Sequence, residues 1–275
     1  MNPNIASPGQ GEPDYGIDAP GVRRGMLIAG CSGLVVVLVV GVVGFPASSA
    51  RWISVLGSIV AAYGLFMGTY MTYGSRIGKL RTREALLDMA SALRPWTGAE
   101  TILDVGCGRG LMLVGAARRL TTGRAFGVDL WRKEDQAANS PEAAQANARC
   151  EGVAERVHIN TGDARQLPYP DMSFDMVLSH WVVHNLPEAA DRFLALDEML
   201  RVLRPGGVIV LADIANIAEY EAHLLSKGVT RLRTLTGGAE AAIMGALSGG
   251  SYRPQALLGL STKPFSREDL CPCLK

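Results

Sequence analysis

Ile102-Leu-Asp-Val-Gly-Cys-Gly-Arg-Gly110 and the apolar run Leu111–Ala117 that follows it decide how the rest of this chain is read. Ile102, Leu103 and Val105 are the apolar residues of a buried strand, which runs into a turn of alternating glycines. Glycine at 106, 108 and 110 lets the backbone take positive φ and lets a ligand approach the main chain without meeting a Cβ. A helix leaves the turn, and its first unpaired N–H groups face whatever lies above it. Strand, glycine turn and helix in this order predict a nucleotide-type binding edge.

The spacing separates one kind of nucleotide from another. A dinucleotide fingerprint is G-x-G-x-x-G, and the position of its third glycine is Leu111. The pattern here is D-x-G-x-G-x-G, with Asp104 two residues before the first glycine. A second apolar strand, Ala125–Val128, ends in Asp129, where an acid accepts hydrogen bonds from ribose hydroxyls on sheets of this type. A third candidate strand, Val157–Asn160, precedes Asp163 in Thr161-Gly-Asp-Ala164. Ser173-Phe-Asp-Met-Val-Leu-Ser179 reads as the fourth strand. Leu203-Arg-Pro-Gly-Gly-Val-Ile-Val-Leu-Ala212 reads as the loop into the fifth, Val208–Ala212.

In order and spacing these five motifs resemble the class I S-adenosylmethionine-dependent methyltransferases. The resemblance covers about residues 82–262 and implies an α/β fold, a doubly wound, Rossmann-like sheet of seven strands. Its last two strands, here Val229–Leu235 and Gln255–Ser261, pair as a hairpin with the final strand antiparallel. The implied cofactor is S-adenosyl-L-methionine. Gly106, Gly108 and Gly110 wrap its methionine part, Asp104 helps orient its amino group, and Asp129 takes the ribose. Leu130, with Trp131, covers the adenine ring; Asp163, with Ala164, recognises the adenine amine; Ser179 is a further cofactor position. The Leu167–Asp175 segment is similar to that of small-molecule and quinone-type members.

After the fourth strand comes His180-Trp-Val-Val-His184-Asn185, which in related enzymes borders the sulfonium. His180 and His184 are the candidate catalytic residues, as base or as substrate-positioning groups; packing accounts for either equally well. An i, i+4 histidine pair also suits a metal, but Trp181 stands where a zinc-protease pattern has Glu, no third ligand follows, and no metal is expected. The implied chemistry is in-line displacement from an activated sulfonium, to which proximity and orientation contribute most. No dedicated catalytic residue is therefore required, and the acceptor atom (O, N, S or C) is not legible.

Upstream, residues 1–25 are rich in Pro, Gly and Asp without periodicity and read as a disordered tail. Met26–Phe45 and Trp52–Tyr73 carry no charge, and each is long enough to cross a hydrocarbon core of about 30 Å. With Pro46–Arg51 between them they predict a transmembrane hairpin over 26–73. The run after Arg23-Arg24 is too short before Cys31 for a lipoprotein signal, and a second span follows, so cleavage is not expected. Arg23 and Arg24 flank the first span; Arg76, Lys79, Arg81 and Arg83 flank the return on the same side, and Arg51 is alone at the tip. That bias places the tail and the catalytic domain in the cytoplasm. The four charges at 76–83 either lie at anionic headgroups or form a solvated face. Gly64-Leu-Phe-Met-Gly68 allows close helix packing, within the hairpin or between copies.

Residues 74–98 form a juxtamembrane segment and a helix from Thr82 that Pro95 ends; 99–262 is the cofactor-binding domain and 263–275 a tail. Helices are expected at Leu111–Leu120, Glu188–Leu203 and Glu219–Lys227, and one opens at Ser140-Pro141 as N-cap and first residue. The polar connection Leu130–Asn139 is long enough to close over cofactor and substrate, whereas Thr236–Gly250 is too rich in glycine and small residues to assign.

The chain has 275 residues, 48% apolar and 19% charged. Residues 76–275 carry 24 Lys and Arg against 23 Asp and Glu, a balance that gives no basic field for nucleic acid. The five cysteines (31, 107, 150, 271 and 273) lack framework spacing and fit a reducing compartment. Cys271-Pro-Cys273 has no assigned role. The sequence thus predicts a membrane-anchored methyltransferase with a small, hydrophobic or membrane-borne acceptor. A non-catalytic, membrane-tethered S-adenosylmethionine-binding module is the competing reading.

Overall fold

The strand that begins the argument is β1 (Thr101–Val105), buried from Ile102 onward. It lies between β2 (Arg124–Asp129) and β4 (Phe174–His180), both parallel to it. β3 (Val157–Thr161) extends the sheet on the β2 side and β5 (Leu203–Asp213) on the β4 side, again parallel. β7 (Gln255–Ser261) is antiparallel to β5 and to β6 (Val229–Thr236), which gives the terminal hairpin. The computed structural model describes residues 11–132, 138–250, 253–262 and 264–265. The strand order β3-β2-β1-β4-β5-β7-β6 makes this the seven-stranded, doubly wound sheet expected. The order reverses between β1 and β4, and the crevice at their carboxyl ends is where such sheets bind ligands.

Four helices lie in the connections from β1 to β6: α4 (Leu111–Ala117), α5 (Pro141–Cys150), α6 (Ala189–Val202) and α7 (Ile217–Ser226). The start of α5 is the one expected: Ser140 Oγ accepts the Ala143 N–H at 3.2 Å, and Pro141 takes the first position. The fifth strand is longer than read. Phe174 pairs with Leu203, and a bulge holding Pro205-Gly-Gly207 precedes the Met176–Val208 pair, so the glycine turn is part of the strand. Arg201 is fully buried and pairs with Glu198 at 2.6 Å. Its remaining N–H groups bond the Leu167 and Tyr169 carbonyls and the Asp171 carboxylate, which fixes the Leu-Pro-Tyr-Pro-Asp segment to α6.

The stretch from Thr236 contains a helix, α8 (Gly238–Leu247), which exposes Ile243 and Leu247 and buries Met244. The tail from 263 is not wholly detached: Phe265 is buried, and Lys227 Nζ lies 4.9 Å from its ring centroid. Cys271, Cys273 and the centre of the Leu130–Asn139 connection (133–137) lie outside the described residues.

Residues 11–14 group with this sheet domain; Tyr15–Arg81 form the second compact unit. Here α1 (Pro20–Val43) packs antiparallel on α2 (Ala47–Tyr73) through a turn at Gly44–Pro46. α1 starts six residues earlier than the expected span because Pro20 suits a first helical position. The turn is correspondingly shorter than Pro46–Arg51. A π-helix, Gly74–Gly78, runs from α2 without a break into α3 (Lys79–Leu93), so residues 74–93 are helical throughout and α3 opens before Thr82.

The disordered-tail reading fails over the described part of that tail. Lys79 Nζ donates to the carbonyls of Tyr15 (2.8 Å) and Gly16 (2.7 Å) and pairs with Asp18 at 3.4 Å. Two of the four charges at 76–83 are therefore spent inside the protein: Lys79 here, and Arg83, buried in the sheet domain against Glu84 and Glu151. The hairpin seam is built from Gly30 and Gly33 against Gly57, Ala61, Gly64 and Gly68. A Cβ on Gly33 would stand 2.5 Å from the Gly57 carbonyl, and one on Gly64 2.6 Å from the Gly30 amide. The Gly64–Gly68 pair is thus used within the hairpin. The outward faces of both helices expose large apolar residues, among them Leu38, Val42, Trp52 and Leu56.

Candidate active site

The glycine turn is tied first to its neighbouring strand. The N–H groups of Gly106 and Cys107 both donate to the Val128 carbonyl, at 2.8 and 3.2 Å. Gly106 has φ 71° and Gly110 φ 85°, a region that a side chain strains. A Cβ at 106 would also collide with Val182. The tightness of the turn therefore depends on both glycines.

Asp104 is buried and accepts the Leu113 N–H at 2.8 Å. It satisfies an amide of the first turn of α4, and that N–H is consequently aimed at the carboxylate rather than at a ligand. Burial pushes the Asp104 carboxyl up to about 7; the Leu113 N–H works against that shift and the nearby Asp129 charge adds to it. The same burial, with the charges of Asp104 and Asp129, keeps the Cys107 thiol well above its ordinary range.

Asp129, at the end of β2, is the hub of the loop. Its Oδ2 accepts the Gly108 N–H at 2.8 Å, and its Oδ1 accepts the Trp131 N–H at 2.6 Å and Asn139 Nδ2 at 3.3 Å. A ribose hydroxyl would join or displace these donors. Leu130 is exposed, while the Trp131 indole N–H donates to Thr161 Oγ1 at 2.8 Å. Asp163 is held by Arg165, whose Nε and Nη2 reach the carboxylate at 3.1 and 2.7 Å and whose backbone N–H adds a third bond at 2.9 Å. The bond to Arg165 lowers the Asp163 carboxyl below its usual range. Adenine recognition by Asp163 would thus compete with Arg165. Ala164 is half-buried against the core.

Ser179 lies beside Val105 on one side and Leu211 on the other, at the mouth of the crevice. Its Oγ is buried without a hydrogen-bond partner, as is Asn139 Oδ1 beside Asp129. Orphaned buried oxygens at a ligand-binding edge are what a polar ligand would satisfy.

The two histidines do not share a helix. His180 ends β4 and stacks on Trp181, with ring centroids 4.9 Å apart. His184 lies in a short 3-10 turn, Val183–Asn185, over the end of β5. There Asp213, fully buried, accepts the His184 N–H at 3.0 Å and meets His184 Nδ1 at 2.5 Å, while the Ile214 N–H adds a third bond at 2.8 Å. An ionised carboxylate only accepts, so the neutral ring carries its proton on Nδ1 and keeps the Nε2 lone pair for another partner. Among the described residues no group of three or more His, Cys, Asp or Glu forms a metal site.

Sequence reading missed Asn139 and the role of Asp213. Asp213 had a signal, an acid closing a strand as Asp129 does; Asn139, alone in a polar connection, had none.

Sheet order and crevice are those of the Rossmann-like methyltransferase fold. Residues 103–211 match the family described as "Methyltransferase domain". Over 173 residues the chain is 30% identical to 27-O-demethylrifamycin SV methyltransferase of Amycolatopsis mediterranei, covering 52% of this chain and 59% of that one. Over 113 residues it is 34% identical to demethylmenaquinone methyltransferase of Lactiplantibacillus plantarum, covering 41% and 44%. Its fold is also that of geranyl diphosphate C-methyltransferase from Streptomyces coelicolor, with 18% identity, a TM-score of 0.51 and coverage of 66% and 79%. The chain spans about half the length of the curated relatives it matches.

Proposed function

We propose that this chain is a membrane-anchored enzyme that transfers a methyl group from S-adenosylmethionine to a small, hydrophobic or membrane-borne acceptor, with its catalytic domain in the cytoplasm. The observation that carries catalysis is the buried Asp213 fixing His184 at the sheet edge that also holds the glycine loop. A histidine held with its proton on Nδ1 keeps Nε2 available to an acceptor.

In this reading Gly106, Gly108 and Gly110 wrap the methionine part and Asp104 favours its ammonium. Asp129 and Asn139 take the ribose, and Ser179 Oγ meets a polar atom nearby. Leu130 borders the adenine, and Asp163 with Ala164 borders its amine. The cofactor supplies an activated methyl group whose sulfur leaves as a neutral thioether. His184 Nε2 accepts the proton of an acceptor hydroxyl as its oxygen bonds the methyl, and the buried Asp213 carboxylate stabilises the imidazolium that results. His180 packs on Trp181.

The anchor rests on the hairpin. Both helices are long and apolar enough to cross a membrane, and most of their surface is exposed, unlike the core helices of a soluble protein. The two curated relatives act, by name, on a rifamycin derivative and on demethylmenaquinone, organic acceptors of the proposed kind.

The test supplies methyl-labelled S-adenosylmethionine with a host membrane extract and, separately, with a soluble metabolite extract. Label entering the organic phase, and lost in His184→Gln, is the expected result. Label confined to the aqueous phase would overturn the hydrophobic acceptor. Cofactor binding without transfer to either extract would favour the non-catalytic module.

A further inference from the structure

Outside every motif, the glycine loop is gripped by a residue from the far N-terminal side of the chain. The Asp14 N–H donates to Asn147 Oδ1 at 2.8 Å, and Asn147 Nδ2 donates to the Asp14 carbonyl at 2.9 Å and to the Arg109 carbonyl at 2.8 Å. Arg109 completes the clasp: its Nε donates to the Asp14 carbonyl at 2.7 Å and its Nη2 pairs with the Asp14 carboxylate at 2.7 Å. Asn147, on α5, is buried, and the Arg109 side chain is mostly covered, whereas the Asp14 carboxylate is 76% exposed. The carboxamide thus pairs with the backbone of residue 14 as a strand neighbour would. Register is fixed by main-chain groups and reinforced by one ion pair.

Arg109 is the only residue between Gly108, whose amide Asp129 holds, and Gly110, which opens α4. Glycines on both sides leave it little intrinsic rigidity. Holding its carbonyl and its side chain removes freedom that ligand binding would otherwise have to remove. We propose that Asp14 and Asn147 are positioning residues for the methyl donor, the N-terminal arm clasping Arg109 so that the 106–110 loop is preset in its donor-binding shape. The proposal rests on reading that loop as the donor site. Linkage then makes the effect reciprocal: donor occupancy tightens the docking of the arm by the factor by which the arm tightens the donor.

The experiment titrates S-adenosylhomocysteine into the full chain in detergent micelles, as wild type, Asp14→Ala, Asn147→Ala and Asn147→Asp. Asp14→Ala removes one partly exposed ion pair and should weaken binding by about fivefold or less, with an unchanged melting temperature. Asn147→Ala removes three hydrogen bonds and should weaken it by about tenfold or more. Asn147→Asp keeps the size but turns an acceptor toward the carbonyls of Asp14 and Arg109, and should match Asn147→Ala if that variant folds poorly. In turnover assays the donor KM should rise while kcat at saturating donor is kept. Hydrogen exchange at the Asp14 amide should slow when S-adenosylhomocysteine is added. Wild-type affinity in all three variants, tighter binding in any of them, or an Asp14 amide indifferent to ligand would overturn the proposal. Failure of the wild type itself to bind would instead remove the donor-site reading on which it stands.

Discussion

At the scale of single residues, burial separates Asp104, inside β1, from Asp129, at the end of β2. Asp104 ionises near 7 because burial opposes its charge. Between about 4 and 7 the folded chain therefore holds a proton that the unfolded chain has released, so this group lowers stability as pH rises through that window and adds no slope above it. A bound ammonium favours the carboxylate, so binding releases the proton and S-adenosylhomocysteine affinity should climb as pH passes from 6 to 8. Titrations across that range should show the climb in wild type and a flat profile in Asp104→Asn; a climb that survives in the variant removes Asp104 from the site. Asp129→Ala forfeits the loop contacts and the proposed ribose bonds together, a loss of roughly 2–3 kcal/mol for a charged acceptor, or about thirtyfold or more in Kd. Calorimetry showing unchanged affinity would defeat that role. Asp213→Asn should leave donor affinity intact and lower turnover by about a hundredfold or more, because His184 loses the carboxylate that fixes its tautomer. Turnover at the wild-type rate would make the pair structural. Asp104 and Asp129 stood out in the sequence as candidates because they lie near the ends of apolar strands at fixed distances from the glycines. Asn139 was not, since its role comes from a loop folding back ten residues onto Asp129.

At the scale of elements, periodicity told most where one face of a segment is buried. β1, β2 and β4 read cleanly because buried parallel strands form continuous apolar runs. α8 did not, because six of its ten residues are alanine or glycine and a single charge, Glu240, is too little to set a phase, although alanine is the best helix former. The N-terminal arm escaped for a different reason: its order comes from Lys79 and Asn147, far away in sequence, and composition cannot report partners of that kind. In the hairpin, the glycine pattern left two uses open, and the atoms decide between them: Gly64 is in contact with the Gly30 backbone, while Gly41 faces open space. Gly64→Leu should therefore force α1 and α2 apart and lower the melting temperature of the hairpin in detergent, whereas Gly41→Leu should leave it unchanged. Circular dichroism on heating measures both, and equal midpoints would mean that the seam does not hold the hairpin together.

For the whole molecule, the question is what a sheet domain gains from a hairpin that it does not need for its own fold. The core around Leu103, Val177, Leu196 and Leu211 is drawn from β1, β2, β4, β5, β6, β7, α6 and α7. As the proposed anchor, the hairpin is oriented by charge. Lys79 and Arg83 are consumed internally, which leaves Arg23, Arg24, Arg76 and Arg81 on the side of the helix ends joined to the domain, against Arg51 alone at the tip. Four against one still favours retention of that side in the cytoplasm, where a methyl donor made by metabolism is available. Because all four are arginines near the ends of the spans, reversing the bias should reverse the topology. Changing Arg23, Arg24, Arg76 and Arg81 to glutamine, with two lysines added beside Arg51, makes the tip the more basic side. Protease added to intact spheroplasts should spare the catalytic domain of the wild type and digest that of the variant. A wild-type domain cut in intact spheroplasts would place it outside the cytoplasm and separate it from its donor, and the proposed reaction could not then run where the chain resides.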